Sequence, residues 1–121
     1  ATDIQAEYQN TLSAGSGITL WARFNLRDEL HTILGADVLG GLGKRSEDVG
    51  REAAEQLISM IDARATVDGW MADQILPFMA LAFGSVVAPA ISDHSRTNMD
   101  VIEKFLPIRF KLDQNVISTM E

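Results

Sequence analysis

Cysteine is absent from the 121-residue sequence, which excludes disulfides, thiolate chemistry and any Cys-type structural zinc site. Histidine is nearly as scarce, with only His31 and His94. Positive charge is also in deficit: ten Lys and Arg face seventeen Asp and Glu, for a net charge of -7. Broad, non-specific nucleic-acid binding needs a positive surface, so this balance argues against it. Recognition of a single RNA end by a few local basic residues stays compatible with it. No apolar run approaches the roughly 20 residues needed to span a bilayer, so no membrane partner is expected. Ala1 to Tyr8 alternates apolar and polar residues rather than showing a signal-peptide pattern. The cytoplasm is therefore the expected compartment.

What is present describes an ordinary globular chain, 46% hydrophobic and 22% charged. Its length suits one domain or two small subdomains. Ile4, Ala6 and Tyr8 alternate with polar neighbours, as do Ile18, Leu20, Ala22 and Phe24. Both runs predict half-buried strands, joined into a hairpin by the turn Ser13 to Gly17. Asn25 to Glu29 reads as a charged loop, and His31 to Leu39 as a strand broken at Gly35. Gly40 to Arg45 lacks the spacing of a phosphate-binding loop and reads as a flexible turn.

Ser46 opens the longest predicted helix, with Glu47 and Asp48 in the first turn, where the helix dipole favours acids. Val49, Ala53, Leu57 and Ile61, flanked by Ala54 and Ile58, form its apolar stripe. It fades over Ala63 to Thr66, the expected boundary between subdomains. Asp68 is a candidate N-cap for a second helix, Gly69 to Phe83, which Pro77 should kink or divide. Ala72, Ile75, Met79 and Phe83 mark its inner face, widened by Leu76 and Ala80. Gly84 is the expected stop. A buried strand is predicted from Val86 to Ala90. A third helix, Thr97 to Phe105, is expected to bury Val101, Ile102 and Phe105, with Pro107 preventing its continuation. Strands over Ile108 to Leu112 and Val116 to Met120 complete an α+β pattern, a hairpin-containing half followed by two helices and two or three strands.

Between the strand ending at Ala90 and the third helix lies Ile91-Ser92-Asp93-His94-Ser95-Arg96-Thr97-Asn98. Thr97 or Asn98 is a natural N-cap, which places His94 in the loop before the helix. Imidazole titrates near pH 6.5, so a neutral, nucleophilic fraction exists at physiological pH. Taken alone, a histidine in a polar loop is more often plain surface than a catalytic group.

Several elements occur together and in order: Gly17-Ile18-Thr19-Leu20-Trp21-Ala22, Gly43-Lys44-Arg45 with Glu47-Asp48-Val49-Gly50, Ala72-Asp73-Gln74, and Ser92-x-His94-x-x-Thr97-Asn98 followed by Val101-Ile102-Glu103-x-Phe105-Leu106. This set resembles the C-terminal part of RNA 3'-terminal phosphate cyclases over nearly the whole chain. The resemblance implies a large domain of repeated βαβαββ units with a small α/β domain inserted into the last unit. Residues 1–65 would then be the end of the insert, and residues 66–121 the end of the large domain. His94 matches the family's nucleophile, which takes AMP from ATP with a divalent metal, Mg or Mn. The activated nucleotide then passes to an RNA 3'-phosphate end, where ring closure leaves a 2',3'-cyclic phosphate. Trp70, Asp73 and Gln74 match the residues that line the nucleotide pocket, and no residue is implied as a metal ligand.

The departures are as informative. Trp70 stands where tyrosine or histidine is more usual, Gly41-Leu42 where a charged pair is common, and Gly69 where an acid is common. The family's N-terminal units, with further ATP-contacting residues, have no counterpart in these 121 residues. Two functions are therefore expected: the nucleotidyl-accepting part of a cyclase, or a truncated, non-catalytic cyclase-like binding or assembly module. His94 favours the first. The truncation and the acidity favour the second for the chain in isolation. Uncovered apolar faces on the helices at 69–83 and 97–105 would also favour a homo-oligomer.

Overall fold

The computed structural model describes residues 2–25 and 31–120. The chain is α+β, with two antiparallel sheets and four helices among these residues. Strand β1 (Gly17–Asn25) pairs along its full length with β2 (His31–Leu39), from Gly17 opposite Leu39 to Asn25 opposite His31. Residues 2–16 carry no strand and are exposed, contrary to the alternation at Ile4 to Tyr8. Alternation makes a strand only where a partner supplies hydrogen bonds and a face to cover, and Ile4 to Tyr8 have neither: they pair with no strand and are exposed on both faces. The expected loop at Asn25 to Glu29 lies, past Asn25, outside the described residues.

Gly35 does not break β2; it sits opposite Trp21 in unbroken register. Thr32, Leu34, Ala36 and Val38 face inward, and helix α1 (Ser46–Asp62) covers them. Val49, Ala53 and Met60 are its buried residues and Leu57 is half-buried, whereas Ile58 and Ile61 are exposed. The expected stripe every fourth residue drifts about 40° per step around a helix that turns about 100° per residue. Ile61 has therefore left the inner face by the fourth member, while Met60, eleven residues after Val49, has returned to it.

Beyond the linker, α2 (Gly69–Gln74) and α3 (Leu76–Ala82) are the predicted second helix divided at Ile75. Pro77 is the cause. It offers no N–H to the carbonyl of Asp73, and its ring crowds that turn. Ala72, Leu76, Met79 and Ala80 are buried, and Phe83 is exposed. The chain reverses at Phe83, with φ 57°, rather than at Gly84. Gly84 is already recruited to the sheet: its N–H donates to Thr119 Oγ1 at 2.9 Å and its carbonyl accepts from the Thr119 N–H at 3.0 Å.

Strand β3 (Ser85–Val87) is shorter than expected and half-buried; Ala88 continues only through a reciprocal pair of bonds with Asn115. Helix α4 (Asp93–Phe105) starts four residues before the predicted position. Its inner face is Ser95, Met99 and the half-buried Ile102, while Val101 and Phe105 are exposed rather than buried. Strands β4 (Arg109–Asp113) and β5 (Val116–Met120) follow Pro107, giving the antiparallel order β3-β5-β4. Glu103 joins α4 to β4 by accepting from the Phe110 N–H at 2.7 Å and from Arg109 at 2.9 Å.

The buried residues fall into separate clusters. Leu34, Ala36, Met60 and Ala65 form one, and Val38, Val49 and Ala53 another, both between α1 and the first sheet. Val67, Ala72, Leu76, Met79, Ala88, Met99 and Ile117 form the third, beneath the second sheet. Just past the first half, Thr66 is pinned to the end of β3: its N–H donates to the Val87 carbonyl at 2.8 Å, and its hydroxyl accepts from the Val87 N–H at 2.9 Å.

Candidate functional site

Asp68 caps α2 as its sequence position implies, accepting from the Met71 N–H at 2.8 Å. That cap fixes the first turn, and the first turn carries Trp70, whose side chain is left 76% exposed. One turn on, Asp73 is half-buried and faces the start of α4. There Ser92, not Thr97 or Asn98, is the N-cap: its Oγ accepts from the Ser95 N–H at 2.9 Å. Thr97 is already inside the helix, with its hydroxyl donating to the Asp93 carbonyl at 2.9 Å.

Asp73 is the hub of this corner. Its Oδ1 accepts from the Ser92 hydroxyl at 3.3 Å and also from the hydroxyl of Ser95, which is 1% exposed. One carboxylate oxygen thus ties α2 to the first turn of α4. Among the described residues, Oδ2 has no hydrogen-bond partner and is left for another group.

A cavity of about 390 Å³ opens beside this corner. Asp68, Gly69, Trp70 and Asp73 line it, together with Pro89 and Ser92. The rest of the lining comes from the first half of the chain, with Gly35, Ala36 and Asp37 from β2 and Gln56, Ser59 and Met60 from α1. The lining carries three carboxylates and no Lys or Arg. An exposed indole in such a wall offers a flat apolar face to an aromatic ring. A triphosphate, by contrast, would meet carboxylates there.

The predicted site residues are therefore only partly assembled. Trp70 and Asp73 share the cavity. Gln74, the last residue of α2, and His94, the second residue of α4, are exposed and do not line it. His94 does not stand in a loop before the helix; it belongs to the first turn, between the two serines that hold Asp73. Ser92 is legible in the sequence only as part of the family element, and Ser95 carries no signal of a role there. Ser92 followed by Asp93 carries the signal of a cap and an acidic first turn, but the later pair Thr97-Asn98 offers the same chemistry. Among the described residues, no three His, Asp or Glu side chains gather to hold a metal ion.

The sequence model describing RNA 3'-terminal phosphate cyclase matches residues 3–112. The chain belongs to that family. The RNA 3'-terminal phosphate cyclase of Pyrobaculum neutrophilum is 39% identical over 117 residues, which covers 94% of this chain and 33% of that protein. Its counterpart in Thermococcus onnurineus is 41% identical over 114 residues, covering 94% and 32%. The Methanopyrus kandleri protein reaches 46% over 103 residues, covering 84% and 28%. The chain thus spans about a third of the length of the curated relatives it matches. Among the described residues, no helix is long and apolar enough to cross a membrane.

Proposed function

We propose that this chain is the histidine-bearing C-terminal portion of an ATP-dependent RNA 3'-phosphate cyclase. One observation carries the reading. The family's histidine element lies on a helix start that is hydrogen-bonded to the helix carrying Trp70 and Asp73, beside an open cavity. Residues 1–65 are read as the end of the insert domain and residues 66–121 as the end of the large domain. The separate hydrophobic clusters support that division. So does the order helix, strand, helix, strand, strand after Thr66, with the divided helix counted once, which suits the end of a βαβαββ unit.

In the proposed reaction, Trp70 stacks on the adenine, and Oδ2 of Asp73 and the Gln74 amide serve as polar contacts to the nucleotide. The neutral His94 imidazole attacks the α-phosphorus through Nε2. A P–N bond forms, the bond to the β-phosphate oxygen breaks, and pyrophosphate leaves with the electron pair. An oxygen of the RNA 3'-phosphate then displaces His94 and takes the AMP. Finally the adjacent 2'-hydroxyl attacks the 3'-phosphorus and expels AMP, closing the 2',3'-cyclic phosphate. A divalent ion would neutralise phosphate charge. Among the described residues no cluster of three His, Asp or Glu side chains stands ready to hold it.

The carboxylate-lined cavity favours a second reading for the chain by itself, a non-catalytic binding or assembly module. Incubation with α-labelled ATP and MgCl2 or MnCl2 separates the two. Acid-labile label on the protein, lost in His94→Ala, supports the cyclase reading. ATP binding without label supports the module.

A further inference from the structure

We propose that Ser95 is a positioning residue for His94, holding the first turn of α4 through the Asp73 carboxylate. The inference rests on the cyclase reading for its consequence in the reaction, but not for its structural part. A buried hydroxyl needs a partner, and Ser95, 1% exposed, gives its proton to Oδ1 of Asp73. The same oxygen accepts from Ser92, and Ser92 in turn caps the Ser95 N–H. His94 lies between these two serines, so both flanks of its backbone are tied to one carboxylate on the neighbouring helix. A hydrogen bond to an ionised acceptor is roughly twice as strong as a neutral one. A nucleophile misplaced by about 1 Å can lose on the order of 10²-fold in rate. Ser95 reaches no ligand itself; its hydroxyl is spent inside the protein. It sets where the helix start, and with it the imidazole, stands relative to Trp70 and the cavity.

The test compares the wild-type chain with Ser95→Ala and with Ser95→Thr, which keeps the hydroxyl. Two measurements are made: single-turnover labelling by α-labelled ATP with MgCl2, and amide exchange by NMR. The expected result is a labelling rate constant at least tenfold lower in Ser95→Ala. The ATP concentration for half-maximal rate should stay within twofold, and the final extent of labelling should be unchanged. Loss of folded protein alone would lower the extent, not the rate constant. Ser95→Thr should recover most of the rate. In the NMR arm, Ser95→Ala should speed exchange at positions 95 and 96 at least tenfold. If the wild-type chain takes no label, the cyclase reading fails for this chain, and the NMR arm alone decides the positioning. Unchanged exchange in Ser95→Ala, or an unchanged labelling rate, overturns the proposal.

Discussion

His94 carries most of the proposed chemistry and little of the stability. It is exposed on the first turn of α4, and among the described residues its ring makes no hydrogen bond to protein. His94→Ala should therefore shift stability by no more than about 0.5 kcal/mol. Thermal denaturation checks the stability, and α-labelled ATP checks that the same variant takes up no label. A melting point lowered by ten degrees would mean that the ring has a packing role. Gly43 presents the reverse case, with no chemistry but a backbone requirement. Its φ of +78° lies in the left-handed region, and a Cβ there would meet nothing within 4 Å. The cost of Gly43→Ala is thus conformational alone, about 1 kcal/mol. A chemical-denaturation midpoint that falls without a change in slope is the expected signature.

At the scale of elements, caps decide where the site residues stand. Asp68→Ala removes the acceptor of the Met71 N–H and should cost about 1 kcal/mol. Asp68→Asn should cost less than half of that, and urea titration of the two variants tests the difference. Fraying at this end also loosens Trp70, so under the proposed function nucleotide binding by Asp68→Ala should weaken more than its stability falls. The cap at Asp68 was legible because a single candidate precedes an apolar run. The start of α4 was not, because Ser92, Thr97 and Asn98 offer the same capping chemistry. Only the contact of Ser92 and Ser95 with Asp73, about twenty residues away in sequence, selects among them. The division at Pro77 was readable for a local reason, a missing donor. The turn at Phe83 was not, because Gly84 is claimed by Thr119 on a strand 35 residues later. Alternation at Ile4 to Tyr8 matched a strand and failed because a strand also needs a paired edge and a covered face, and these exposed residues have neither. Family membership was legible from short motifs, whereas the carboxylate lining of the cavity depends on β2 meeting α2 in space.

For the whole molecule, the deciding quantity is apolar surface left uncovered. Phe78 and Leu81 on α3 are 70% and 71% exposed, and Phe105 on the neighbouring α4 is 81% exposed, with Val101 one turn before it. Three large side chains this open on two packed helices are apolar surface that a second copy would cover on association. The net charge of -7 opposes the meeting of two copies, because like charges repel across the gap. Salt weakens that repulsion: the screening length falls from about 10 Å at 0.1 M to about 3 Å at 1 M. Burial of hydrocarbon is not weakened in the same way. Self-association through this face should therefore strengthen as salt is raised, the reverse of an association held by ion pairs. Light scattering at rising concentration, in 0.1 M and 1 M NaCl, should show a mass that climbs further at high salt. The double variant Phe78→Lys, Leu81→Lys should lower it at both. A constant monomer mass under every condition, or association that weakens with salt, would remove the apolar face as the cause.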